Sequence, residues 1–188
     1  MLPVSIAGIL FLFQAFKPGS TGASTLKIDT TGWPQSFGLG KTATPKQVRA
    51  MDISIRPDGK GLPAGSGTVS VGRQIYGQKC LYCHGAKGKD GPYSVLVGAM
   101  GDTAQAKTIG NYWPYATTIF DYVRRAMPFN APGSLTDNEV YSLTAYLLHE
   151  NRIIDSNLVI NSVSLPKITM PAKILFVPDD RSGGPEVK

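Results

Sequence analysis

The five residues Cys80-Leu81-Tyr82-Cys83-His84 decide how this chain is read. Two thiols three positions apart on a helical turn can each add to one vinyl group of a porphyrin. The histidine directly after the second thiol is then carried under the iron as an axial ligand. The pentapeptide is the attachment signature of a c-type haem, and the only two cysteines of the chain sit inside it. Other uses of the spacing fit less well. A structural zinc site needs two more ligands, and beyond the motif the chain offers His149 and no further cysteine. A thioredoxin-type CxxC expects a βαβ pattern, which is not visible here. A Cys80 to Cys83 disulfide closes too short a loop for relaxed geometry and leaves His84 unexplained.

The 188 residues exceed the roughly 80 to 110 of a single-haem unit, so much of the chain lies outside the haem cage. The formal net charge is +6, but only 17% of residues are charged and no block of five or six basic residues occurs. Nucleic acid is therefore not an expected partner, and the excess charge suits steering towards an acidic protein. The apolar run Leu2 to Phe16, followed by small residues to Ala23, is short for a membrane span and reads as a signal peptide over 1–23. No Lys or Arg precedes it, so retention as an anchor is the alternative, and only then is a membrane involved. Export to the periplasm agrees with the motif, because a free CxxC would oxidise in that compartment unless haem were attached.

Residues 24–68 are punctuated by Gly and Pro and are expected to form an extended arm suited to partner docking, the alternative being that the arm folds back over the haem domain as a lid. Within it, Thr44-Pro45 can cap a short helix, and Asp52 to Arg56 alternates like a strand. The haem domain is expected over 69–150, with three helices. The first runs from Thr68 or Val69 to Tyr82, its apolar face carrying Gly72 and Tyr76; the second spans Ala116 to Ala126 and is stopped by Pro128. The third opens with the capping box Thr136-Asp137-Asn138-Glu139 and runs to about Glu150. The tail, 151–188, carries scattered apolar residues among prolines and should wrap over a surface.

A haem held by His84 also needs a ligand on its other face. Met127, in Ala126-Met127-Pro128-Phe129, follows an amphipathic helix and precedes a proline that can pin its loop. Met100, between glycines, is its strongest rival, and Met170, before Pro171, comes next. The ordinary use of a methionine at a helix end is core packing. A Met/His pair, however, raises the reduction potential and suits electron transfer. His149, at the polar end of the last helix, fits a helix-dipole role better.

Gly72-Arg73-Gln74-Ile75-Tyr76-Gly77-Gln78-Lys79-Cys80 through His84-Gly85 resembles the opening of class I cytochromes c. Lys107 to Phe129, which includes Asn111-Tyr112-Trp113-Pro114-Tyr115 and Arg124-Arg125-Ala126-Met127-Pro128-Phe129, resembles the haem subunit of bacterial sulfite dehydrogenases. It is similar also to the haem domain of the sulfane dehydrogenase of the Sox sulfur-oxidising system, and the likeness extends over roughly Gly38 to Pro178. The resemblance implies an all-α, class I fold around one covalent haem c. It also implies a periplasmic electron-transfer subunit that takes electrons from a molybdenum-cofactor sulfite or sulfane dehydrogenase subunit and passes them to a downstream cytochrome c or oxidase. By the same likeness Met127 is the sixth ligand. In class I cytochromes a Gly-Pro after the haem histidine places a carbonyl on that histidine's other nitrogen, a role that would fall to Pro92. Trp113, Tyr112 and Arg124 or Arg125 would lie near the propionates.

A haem filled on both axial sides leaves substrate no open position, so the chain is not expected to be catalytic alone. The alternative is an independent soluble electron shuttle, against which the long arm and tail count.

Overall fold

The computed structural model describes residues 29–101 and 106–178. The expected signal peptide and the last ten residues of the tail lie outside them. The chain divides into two units, Met1–Thr42 and Ala43–Lys188. In the first, residues 29–42 form no regular element, and Trp33 meets Phe37 edge to face with ring centroids 5.7 Å apart.

The second unit opens with helix α1 (Pro45–Met51), capped as its sequence predicts. Gln47 N–H donates to Thr44 Oγ1 at 3.3 Å, and Thr44 N–H donates to Gln47 Oε1 at 2.9 Å. None of its residues is buried. Helix α2 (Val69–Lys79) is capped by Thr68, but it does not continue to Tyr82 as expected. It breaks at Cys80, whose backbone leaves the helical region at φ −125°, ψ −31°, and a single turn, α3 (Leu81–His84), follows. A short helix that the periodicity does not reveal, α4 (Ile109–Tyr112), is held by a Thr108–Asn111 capping box. Helices α5 (Ala116–Ala126) and α6 (Asp137–Glu150) have the expected bounds. Proline after α5 cannot continue a helix, and Thr136 with Glu139 opens α6.

The core lies where α2 and α5 meet α6. Phe120 of α5 packs on Tyr141 of α6 at 4.5 Å between ring centroids, and Tyr76 of α2 packs on Tyr146 at 5.0 Å. Gly72 makes the second contact possible, because a Cβ there would stand 1.9 Å from the Ser142 carbonyl oxygen and 2.8 Å from Tyr146 Cβ. Gly72→Val should therefore cost about 3 kcal/mol, the upper end of ordinary overpacking. A thermal melt checks this, and an unchanged midpoint would contradict the close crossing.

The segment expected as a free arm up to residue 68 takes a different course over its second half. Residues 53–67 lie on the helical domain. Ile55 N–H donates to Asp121 Oδ1 at 3.0 Å, Tyr141 Oη–H to the Pro63 carbonyl at 2.8 Å, and Ser66 N–H to Asn138 Oδ1 at 2.9 Å. The strand expected at Asp52 to Arg56 does not form, although Ile53 and Ile55 are half-buried and Ser54 and Arg56 exposed. A strand needs a partner edge, and here a side-chain carboxylate takes the backbone donor instead. The ladder forms later, where β1 (Ser66–Gly67) pairs antiparallel with β2 (Ile160–Asn161). This two-residue pairing departs from the all-α expectation. The tail wraps as expected, burying Ile160, Leu165, Met170 and Ala172. No helix among the described residues is long and apolar enough to cross a membrane.

Candidate haem site

The break at Cys80 sets the geometry of the motif. Cys80 caps α2 while Cys83 and His84 sit on the following turn, with His84 N–H donating to the Cys80 carbonyl at 3.0 Å. Both cysteines are unbridged and half-buried. Burial pushes the Cys80 thiol up to about 11, against the opposing charge of Lys79, so at neutral pH it stays a thiol with little tendency to ionise. Among the described residues no group of three or more His, Cys, Asp or Glu side chains gathers to hold a metal ion.

A folded-back loop fixes the histidine. Gly85, at φ +76°, turns the chain out of α3, and Gly91 presses against the motif so closely that a Cβ would stand 2.2 Å from the Cys83 carbonyl oxygen. Tyr93 N–H donates to that same carbonyl at 3.1 Å. His84 Nδ1 then lies 2.9 Å from the Ser94 carbonyl oxygen. A carbonyl only accepts, so Nδ1 carries the proton and Nε2 keeps the lone pair. The residue supplying this carbonyl is Ser94 and not Pro92. With Gly91 seated on Cys83 and Tyr93 tied to it, Pro92 is left exposed at the crest of the turn, and the next inward carbonyl comes two residues later.

Met127 ends α5 in extended backbone, its N–H still donating to Val123, and is half-buried against the core. The two rival methionines are placed differently. Met170 is 1% exposed within the core, and Met100 is 37% exposed in its loop. Of the residues expected near the propionates, Trp113 stacks edge-on with Tyr122 at 5.8 Å, and Tyr112 meets Phe176 at 5.5 Å beneath the Lys107 ammonium. Arg124 pairs with Asp137 at 3.3 Å and Arg125 with Asp121. His149 Nδ1 faces the Ile154 carbonyl at 3.2 Å.

The donor set fits a c-type haem: two free thiols one turn apart, and an imidazole whose Nε2 keeps its lone pair. Sequence reasoning missed Ser94, whose backbone acts and whose side chain therefore leaves no signal. It also missed Asp121, and the Tyr76 hydroxyl, which donates to the Gly85 carbonyl at 2.9 Å.

Residues 67–147 match the family described as cytochrome c oxidase, cbb3-type, subunit III. The class is thus that of a cytochrome c domain. The chain is 30% identical over 116 residues to a thiosulfate dehydrogenase of Psychrobacter arcticus, covering 57% of this chain and 35% of that protein. It is 28% identical over 109 residues to one of Stutzerimonas stutzeri, covering 56% and 35%. It thus spans about a third of the length of these curated relatives. Among solved structures it resembles a chain of the sulfane dehydrogenase SoxCD from Paracoccus pantotrophus, with a TM-score of 0.69 and 38% identity over 78% of this chain and 74% of that one. The protein belongs to the same cytochrome c family as that SoxCD chain.

Proposed function

We propose that this protein is a periplasmic, mono-haem electron-transfer subunit of a sulfite or sulfane dehydrogenase. It takes electrons from a molybdenum-cofactor subunit and passes them to a downstream cytochrome c or oxidase. The observation that carries the reading is the donor set around the motif. Cys80 and Cys83 would hold a single haem covalently, the free Nε2 of His84 and the Met127 thioether would supply its protein ligands, and α2, α5 and α6 are the helices proposed to form its cage. Bound there, the haem supplies a one-electron couple. With His84 and Met127 as its ligands, the haem would leave a sulfur substrate no open coordination site. The chain also has no cysteine outside the motif to carry a sulfur intermediate. The Ser94 carbonyl holds the His84 ring and its tautomer, which raises the basicity of Nε2. Trp113, Tyr112 and Arg124 remain proposed neighbours of the propionates.

The arm before the haem domain is the proposed docking element for the dehydrogenase subunit. Residues 29–52 carry Trp33, Phe37, Leu39, Val48 and Met51, which are 53% to 89% exposed. Helix α1 has 7 residues, well below the length at which an isolated helix is stable, and buries none of them.

Isolation of the full chain from its native host tests the reading. A molybdenum-containing protein should come down with it, and sulfite or a sulfane donor should reduce the haem only while that protein is present. Reduction of the haem by either donor, or by thiosulfate, with this chain alone would replace the relay with an enzyme. A haem protein that comes down by itself and is reduced only by other cytochromes would replace it with the independent shuttle.

A further inference from the structure

Tyr76 is the buried polar side chain that ties the helical core to the histidine of the motif. It is 2% exposed, its ring packs on Tyr146, and its hydroxyl donates to the carbonyl of Gly85, the residue directly after His84. That peptide is gripped from its other side by the loop: a Cβ on Gly85 would stand 2.6 Å from Gly91 N. The same loop continues through Tyr93, tied to Cys83, to Ser94, the acceptor of His84 Nδ1. Displacing Gly85 therefore shifts the adjoining His84 backbone and moves the ring against its acceptor. On the haem-binding reading above, we propose that Tyr76 is a positioning residue, whose hydroxyl fixes the Gly85–Ala86 peptide, one residue beyond His84, and thereby holds the ring in register with the Ser94 carbonyl. It touches neither iron nor substrate and acts through the backbone. Burial holds its phenol well above the usual tyrosine range, so it stays a donor at any pH at which the protein works.

Tyr76→Phe isolates this role. The ring and its contact with Tyr146 remain, and the Gly85 carbonyl keeps a second donor, Gly88 N–H at 3.3 Å, so the fold does not rest on the hydroxyl. Holoprotein labelled with ¹⁵N-histidine is compared as wild type, Tyr76→Phe and Tyr146→Phe. In Tyr76→Phe the ring N–H of His84 should exchange with water about five- to tenfold faster, as expected for a weakened hydrogen bond. The midpoint potential should rise, because a looser Nδ1–H···O=C bond makes His84 a less basic ligand and favours the reduced iron. Tyr146→Phe removes a hydroxyl from the same seam without touching the motif, and both readouts should stay at the wild-type value. If Tyr76→Phe leaves exchange and potential unchanged, or if both variants shift them equally, the hydroxyl is only a satisfied core group and the proposal fails. A wild-type chain that acquires no haem overturns the haem reading itself, an outcome visible before any variant is made.

Discussion

A chain with both Cys80 and Cys83 replaced by alanine should retain no haem through denaturing electrophoresis. The wild type should show a haem-stained band there and a mass exceeding the polypeptide by one haem. The expected effect is complete loss, because the two thiols are the only ones in the chain and neither is committed to a disulfide. Cys83→Ala alone should leave one thioether and a shifted pyridine haemochrome spectrum. If acid acetone extracts the haem from the wild type, attachment is not covalent and the motif has been misread.

Met127→Ala should abolish the weak near-infrared absorption of a thioether bound to ferric iron and lower the potential, since an axial methionine favours the reduced state. Met100→Ala should leave both nearly unchanged. The distinction rests on placement. Met127 ends a helix that belongs to the core, and Met170 is sealed inside that core, whereas Met100 lies in an exposed loop. Loss of the band in Met100→Ala with retention in Met127→Ala would move the ligand to the Gly98–Gly101 loop.

The motif and the helices were legible in the sequence wherever a local rule governs. Thr136 with Glu139 and Pro128 after Met127 announce their helix ends by side-chain chemistry that acts within four residues. Gly72 announced a close crossing because only a missing Cβ explains a glycine on an apolar helical face. What escaped was set by distant partners. The break at Cys80 and the α4 turn have no periodic signal. The course of residues 53–67 depends on Asp121, Asn138 and Tyr141, side chains 66 to 78 positions away. The expectation of Pro92 failed because the loop spends Gly91 on packing against Cys83 and delivers the carbonyl of Ser94 instead. The propionate neighbours were named from resemblance, and in the structure Arg124 is engaged with Asp137.

The contact between Lys79 at the end of α2 and Glu139 at the start of α6, 2.8 Å apart in space and 60 residues apart in sequence, joins the two ends of a single long loop. Closing a loop of that length costs roughly 4 kcal/mol of chain entropy before any helix contact repays it. That loop contains the cysteine motif, α4 and α5. Thioethers at Cys80 and Cys83 tie points only three residues apart, but the proposed ligation by His84 and Met127 would bridge most of this loop and shorten the segments that must still find one another, so the order of events matters. A chain that meets its haem while still open begins its search for the α2–α6 crossing with part of that entropy already removed, whereas one that must close first searches the full length.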